Sequence, residues 1–181
     1  MAKKTLKADL SISSIRQLQK ELGKYKDSLT YKCRLLAEKL AESGIPVINE
    51  NMAKATFTVD EKGIQSGADP QHYTHVKINT FGNYARADLI VEGAELLFIE
   101  FGAGVYYNGE AGSSPHPKGE EFGYVIGSYG KGHGVQKVWG YYADSGELIL
   151  THGVEATMPV YKASLEIAEN AVKIAKQVFG K

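Results

Sequence analysis

Apolar residues recur with helical spacing at both ends of this chain and with alternating spacing only in the stretch between them. That distribution points to an α+β fold, because a helix buries a stripe and a strand buries one face, and each period excludes the other element. Near the N-terminus, Ile15, Leu18, Leu22, Tyr25 and Leu29 follow one another at intervals of three and four, and the stripe continues through Cys33, Leu36 and Leu40. The spacing predicts one long helix, or two joined near Gly23, capped by Ser13 or Ser14 and ending at Ser43-Gly44. Pro46 is expected to prevent its continuation. One face of this helix should pack on a sheet, with a coiled-coil seam as the alternative. A short strand over residues 5–12 is expected ahead of it.

The C-terminal helix is the clearest element. Thr157 suits an N-cap and Pro159 a first helical turn. Tyr161, Leu165, Ala168, Val172, Ala175 and Phe179 form one stripe, and Val160, Ile167, Ala171, Ile174 and Val178 form the adjacent one. Both stripes are expected to be mostly buried.

Strand signals lie between the helices. Thr56–Val59 reads as a short strand, with turns at Asp60-Glu61-Lys62-Gly63 and at Gly67-Ala68-Asp69-Pro70. His75–Phe81 and Ala85–Glu92 alternate polar and apolar residues around a Gly82-Asn83 hairpin turn. Ala94–Phe101 is too short for periodicity to decide between helix and strand. Val138–Tyr142 and Leu148–Thr151 flank the turn Asp144-Ser145-Gly146 as a second hairpin. The expected architecture is a small, largely antiparallel sheet of roughly four to five strands carrying both helices on one face. It is read as a single domain over residues 1–181, with residues 102–136 as a long projecting loop. Residues 102–134 hold ten of the twenty glycines and no apolar period. Such a segment recovers its ordering entropy only against a partner.

Lys and Arg together equal Asp and Glu at 21 each. That balance argues against a protein built mainly to grip nucleic acid, which needs a basic excess. The one cysteine, Cys33, allows neither an internal disulfide nor a cysteine-based zinc site. No apolar run is long enough for a membrane span, and nothing at the N-terminus reads as a signal peptide.

The residues that could carry chemistry do not assemble into a catalytic signature. The five histidines lack ligand spacing: His72 and His75 should point to opposite faces of a strand, and His116, between Pro115 and Pro117, and His133, among glycines, read as exposed. Gly127–Gly134 lacks the Gly-Lys-Ser/Thr entry into a helix that a phosphate loop needs. No GxSxG elbow occurs, and Cys33 sits within a helical stripe. Glu100, between Ile99 and Phe101, needs a partner within hydrogen-bond reach to act as a base. Its structural alternative is to pair with a cation or to accept backbone N–H groups near Gly102. No cofactor or metal is implied. Tyr106, Tyr107, Tyr124 and Tyr129, with Lys131 and His133, stand out as interface candidates, because aromatics with a polar end are favoured in protein interfaces.

Two separated segments are more specific. One is Ile99-Glu100-Phe101-Gly102-Ala103-Gly104, behind the apolar run Leu96-Leu97-Phe98. The other is Thr151–Ala163, which carries Gly153, Ala156, Pro159 and Tyr161 and opens the last helix. Together they resemble the small neck proteins of long-tailed bacteriophages and prophages, the head–tail joining and tail-completion family. The family motif residues in this chain are Glu100, Phe101, Gly102, Gly104, Gly153, Ala156, Pro159 and Tyr161. The resemblance implies a structural virion protein rather than an enzyme, made in the host cytoplasm and located in the virion neck. It implies a homo-oligomeric ring around the DNA channel, meeting a connector or stopper on one side and a tail terminator or tail-tube protein on the other. Non-specific contact with channel DNA is compatible with it; a membrane is not implied. A tail terminator capping the tail tube is the alternative within that class. A small hydrolase or metal-dependent enzyme using Glu100 and His152 is the alternative from another class.

Overall fold

The structure is a computed structural model and describes residues 9, 11–81, 84–104, 114–123 and 137–180. The fold is α+β: among the described residues, three helices and eight strands follow in the order α1, β1–β4, α2, β5–β8, α3. The chain divides into two compact units. The first comprises Met1–Ser43, Val76–Ile90 and Ile167–Lys181, and the second Gly44–His75 and Val91–Glu166.

Helix α1 runs from Ile12 to Ala53, passing through Gly23, Gly44 and Pro46. Its start and its end both differ from the sequence expectation. Ile12 is helical, Asp9 and Ser11 are not in a strand, and residues 5–8 and 10 lie outside the described residues. The cap is Ser11 instead of Ser13 or Ser14: its Oγ accepts the Ser14 N–H at 3.3 Å. At the other end, Pro46 does not stop the helix. An interior proline costs about 3 kcal/mol. The turns beyond it carry Ile48 and Met52, both fully buried, and each such side chain contributes about 1.5–3 kcal/mol on burial. Tertiary burial therefore offsets the local penalty.

The hairpin strands β3 (Tyr73–Phe81) and β4 (Tyr84–Glu92) pair as expected from their alternation. The first unit contains Val76–Phe81 and Tyr84–Ile90 of that hairpin. Its turn residues, Gly82 and Asn83, lie outside the described residues. The Lys32 ammonium sits 5.8 Å from the centre of the Phe179 ring, within cation–π range.

The second unit holds most of the buried core: Ile48, Met52, Ala55, Ala68, Ile99, Phe101, Ala103, Val154, Ala156 and Ala163. The expected single sheet is instead several small ones. Strands β1 (Thr58–Val59), β2 (Gln65–Ser66), β7 (Leu148–Thr151) and β6 (Trp139–Tyr142) form one sheet in that order. β6 and β7 are the predicted second hairpin, with Trp139 opposite Thr151 and Tyr142 opposite Leu148. The β2–β7 pair is parallel, with Gln65 opposite Thr151. Strands β5 (Ala103–Gly104) and β8 (Gly153–Val154) make a separate antiparallel pair. Residues 94–101, left open by the sequence, contain the six-residue helix α2 (Leu96–Phe101).

Helix α3 runs from Pro159 to Phe179, with Pro159 in its first turn as expected but its start one residue after the one a Thr157 cap would give. Its stripes are not mostly buried, as they were expected to be. Pro159 and Ala163 are buried, whereas Leu165 is 47% and Val172 65% exposed. Periodicity identified the face but not what covers it. Leu165→Ala should therefore cost under about 1 kcal/mol in the unassembled chain, far below a core truncation. Urea unfolding of the monomer checks this; a loss of about 3 kcal/mol would mean the side chain is covered.

Candidate functional site, the Glu100 junction

The two motif segments meet in the second unit. Helix α2 delivers Glu100 into the interior, where the residue is 5% exposed. Gly102 ends that helix at φ +83°, with its N–H donating to the Phe98 carbonyl at 2.7 Å. The chain then enters β5, where Ala103 faces Val154 and Gly104 faces Gly153. Both glycines have positive φ and closely opposed backbones. A Cβ on Gly153 would lie 2.0 Å from the Ala103 carbonyl oxygen, and one on Gly104 would lie 2.5 Å from that of His152. The glycines of the two motifs are thus one requirement seen from two sides: close backbone approach at the β5–β8 pair.

Glu100 then serves as the cap of α3. Its Oε2 accepts the Val160 N–H at 2.8 Å, and its Oε1 accepts the Tyr161 N–H at 2.9 Å. The remaining groups of that helix end are also accounted for. Pro159 has no N–H. The Lys162 N–H donates to the Met158 carbonyl, and the Thr157 and Met158 N–H groups both reach the Ile99 carbonyl. The expected cap, Thr157, does not act as one. Its Oγ1 is buried without a hydrogen-bond partner among the described residues. Met158, at φ +55°, is the residue before the helix. A carboxylate here meets two otherwise orphaned donors and the positive end of the helix dipole.

A residue the sequence placed elsewhere completes the junction. His116 is buried, at 7% exposure, and not exposed as its Pro-His-Pro setting suggested. Its Nε2 donates to Glu100 Oε1 at 3.0 Å. The Lys118 N–H donates to its Nδ1 at 3.0 Å, which leaves Nε2 as the nitrogen that carries the proton towards Glu100. The ring packs at 4.5 Å from Phe101 and edge-on to Tyr161 at 5.1 Å. Phe122 approaches Phe101 at 5.8 Å. Ser114 donates to the Phe101 carbonyl at 2.6 Å. A signal for His116 was present: two flanking prolines stiffen one short stretch of an otherwise glycine-rich tract. What the sequence lacked was any pairing partner nearby.

The motif residues Glu100, Phe101, Gly102, Gly104, Gly153, Ala156, Pro159 and Tyr161 thus all belong to this part of the second unit. Ala156 and Pro159 are buried within it. The interface candidates Tyr106, Tyr107, Tyr124, Tyr129, Lys131 and His133 lie outside the described residues. Of the loop expected over 102–136, residues 102–104 and 114–123 are described, and these carry the contacts just given.

His152 has partners of its own. Its Nδ1 donates to the Lys137 carbonyl at 2.8 Å and its Nε2 to Asp60 Oδ2 at 3.1 Å. With acceptors at both nitrogens the imidazolium is favoured. The Lys137 carbonyl, and secondarily the Asp60 side chain, raise its pKa above the ordinary 6.5. The Ile64 N–H, followed by His152, holds Asp60 below the ordinary 3.8. The Asp60 contribution is present above 3.8 and is lost as pH falls through its lowered value. The His152 contribution is full below 6.5 and is lost as pH rises through its raised value. The stability gap between the native chain and His152→Gln should therefore be widest between those two limits and shrink on the alkaline side. Melting temperatures across pH check this; a gap that widened above neutrality would contradict it.

Among the described residues, no group of three or more His, Cys, Asp or Glu is placed to hold a metal, and no helix is long and apolar enough to cross a membrane. Comparisons of the chain with protein families, with curated proteins and with solved structures find no match.

Proposed function

We propose that this chain is a structural subunit of a phage or prophage neck, forming a ring that joins the head connector to the tail around the DNA channel. The observation that carries the reading is the meeting of the two motif segments at Glu100. The residues behind the resemblance form one junction, in which the acidic side chain is used in full by two backbone N–H groups and His116. That is how a motif behaves when it specifies a fold rather than a reaction. Apolar surface gives further support: Val160, Leu165, Tyr142, Leu148 and Leu150 are exposed in the single chain. A cyclic ring needs two different patches on each subunit, and surface of this kind suits that purpose.

The test is genetic and structural. Deleting the gene from the phage or prophage that encodes it should leave DNA-filled heads and complete tails unjoined in electron micrographs. Supplying the protein in trans should restore joined particles. Joined, infectious particles in the absence of the gene would overturn the proposal.

A further inference from the structure

The neutral charge of the whole chain is an average over two unlike parts. The stretches that make up the first unit hold 15 Lys and Arg against 7 Asp and Glu, a net charge of +8. Those of the second hold 6 against 14, a net charge of −8. Without Lys3, Lys4, Lys7 and Lys181, which lie outside the described residues, the first unit still carries +4. Its cations are concentrated on α1, where Arg16, Lys20, Lys24, Lys26 and Arg34 are all exposed. A rotation of about 100° per residue sets Arg16, Lys20, Lys24 and Arg34 on the side opposite the apolar stripe, with Lys26 between the two. Asp27 shares that side, whereas Glu21 is half-buried beside the stripe. The stripe itself leaves Ile15, Leu22, Tyr25 and Leu29 exposed. From Arg16 to Arg34 the cations extend along about 27 Å of helix, at 1.5 Å per residue.

Within the same unit, α1 and β3 flank a cleft of about 440 Å³, lined by Lys26, Asp27, Thr30, Tyr31, Arg34 and Thr80. It offers two cations and three hydroxyl groups, one of which, Thr30 Oγ1, donates to the Lys26 carbonyl at 3.0 Å. Lys, Arg, Thr and Tyr are the residue types that contact phosphate oxygens, and Asp27 is the one unfavourable member. The form of the charge selects the occupant. Duplex DNA carries one negative charge about every 1.7 Å of its axis, so a row of cations on a straight helix lies along a straight polyanion. The acidic unit of a second copy is a poorer match, because several of its carboxylates are already engaged. Glu100 is buried, Asp60 is bonded to His152, and Glu50 and Glu121 are paired with Lys54 and Lys118. We propose that the face of α1 from Arg16 to Arg34, with its cleft, binds the phosphate backbone of duplex DNA without reading its sequence. The proposal rests on the charge distribution of the first unit, not on the neck reading.

Fluorescence anisotropy of short labelled duplexes of unrelated sequence, titrated with the full-length chain at low salt, tests this. About four or five phosphate contacts predict a loss of affinity of about 10–20-fold for each doubling of salt. Lys26→Gln with Arg34→Gln should weaken binding to every duplex alike, by about tenfold or more, and lower the salt slope by about two, with unchanged melting. Asp27→Asn should tighten binding about two- to threefold by removing the opposing charge. Lys54→Gln with Lys62→Gln removes the same charge from the second unit and should change affinity by less than about twofold. No binding at low salt, or equal losses in the two double variants, would overturn the proposal. Displacement of the duplex by inorganic phosphate at constant ionic strength would make this a small-anion site and overturn it as well. So would growth in mass with concentration in analytical ultracentrifugation, abolished by Lys26→Gln with Arg34→Gln, in a chain that ignores DNA; the face would then belong to a second copy. The two readings fail separately. Head–tail joining by a chain that binds no duplex would refute the DNA contact and leave the neck reading intact. Duplex binding as described, in a protein dispensable for joining, would do the reverse.

Discussion

Replacing Glu100 with alanine should destabilise the chain by about 3–5 kcal/mol, because the loss strands one buried and two part-buried donors at once. The Val160 and Tyr161 N–H groups lose their acceptor in the first turn of α3, and His116 Nε2 loses its acceptor in the same place. Leaving a buried donor unsatisfied costs about 1–3 kcal/mol, with partial relief where water can enter. The favourable field of a negative charge at a helix N-terminus is lost as well. Glu100→Gln keeps one acceptor oxygen but removes the charge and turns an NH2 group towards a donor. It should cost about 2–3 kcal/mol. Urea unfolding at neutral pH measures both, with the exposed Glu120→Ala as a control expected within about 0.5 kcal/mol of the native chain. A Glu100→Gln variant as stable as the native protein would remove the capping role assigned here.

Gly153→Ala should be at least as damaging, at about 4 kcal/mol or more, through a different cause. The residue sits at φ +108°, and a Cβ there would lie 2.0 Å from the Ala103 carbonyl oxygen and 2.8 Å from its carbon. Relief requires β5 and β8 to separate. That opens the Ala103–Val154 register and shifts the end of α2, on which Glu100 is carried. Gly146 provides the contrast. It has φ +82° but open space around its Cβ position, so Gly146→Ala should show backbone strain alone, about 1–2 kcal/mol. Soluble yield and thermal denaturation of the two variants separate strain from collision. Equal losses would mean that close approach at Gly153 is not the cause.

These two predictions also mark the division between what was local and what was not. The amino-acid sequence by itself determined most elements: α3 with Pro159 in its first turn, the β3–β4 alternation, and the β6–β7 hairpin around Gly146. Each depends on a period or a turn residue within a few positions. It also marked Glu100, Gly104 and Gly153 as unusual and left their roles open. Only the tertiary structure decided those roles. The cap of α3 comes from sixty residues upstream, and no helix-start signal near Thr157 could reveal it, since a side-chain oxygen needs only to be close in space. The continuation of α1 through Pro46 was decided by the burial of Ile48 and Met52, which outweighs a local penalty that the sequence states correctly. His116 was placed by the partner it finds, not by its neighbours in the chain. The exposed stripes of α1 and α3 show the same limit. A hydrophobic period records that a face avoids water, while the identity of whatever covers it is a property of the packed molecule and its assembly.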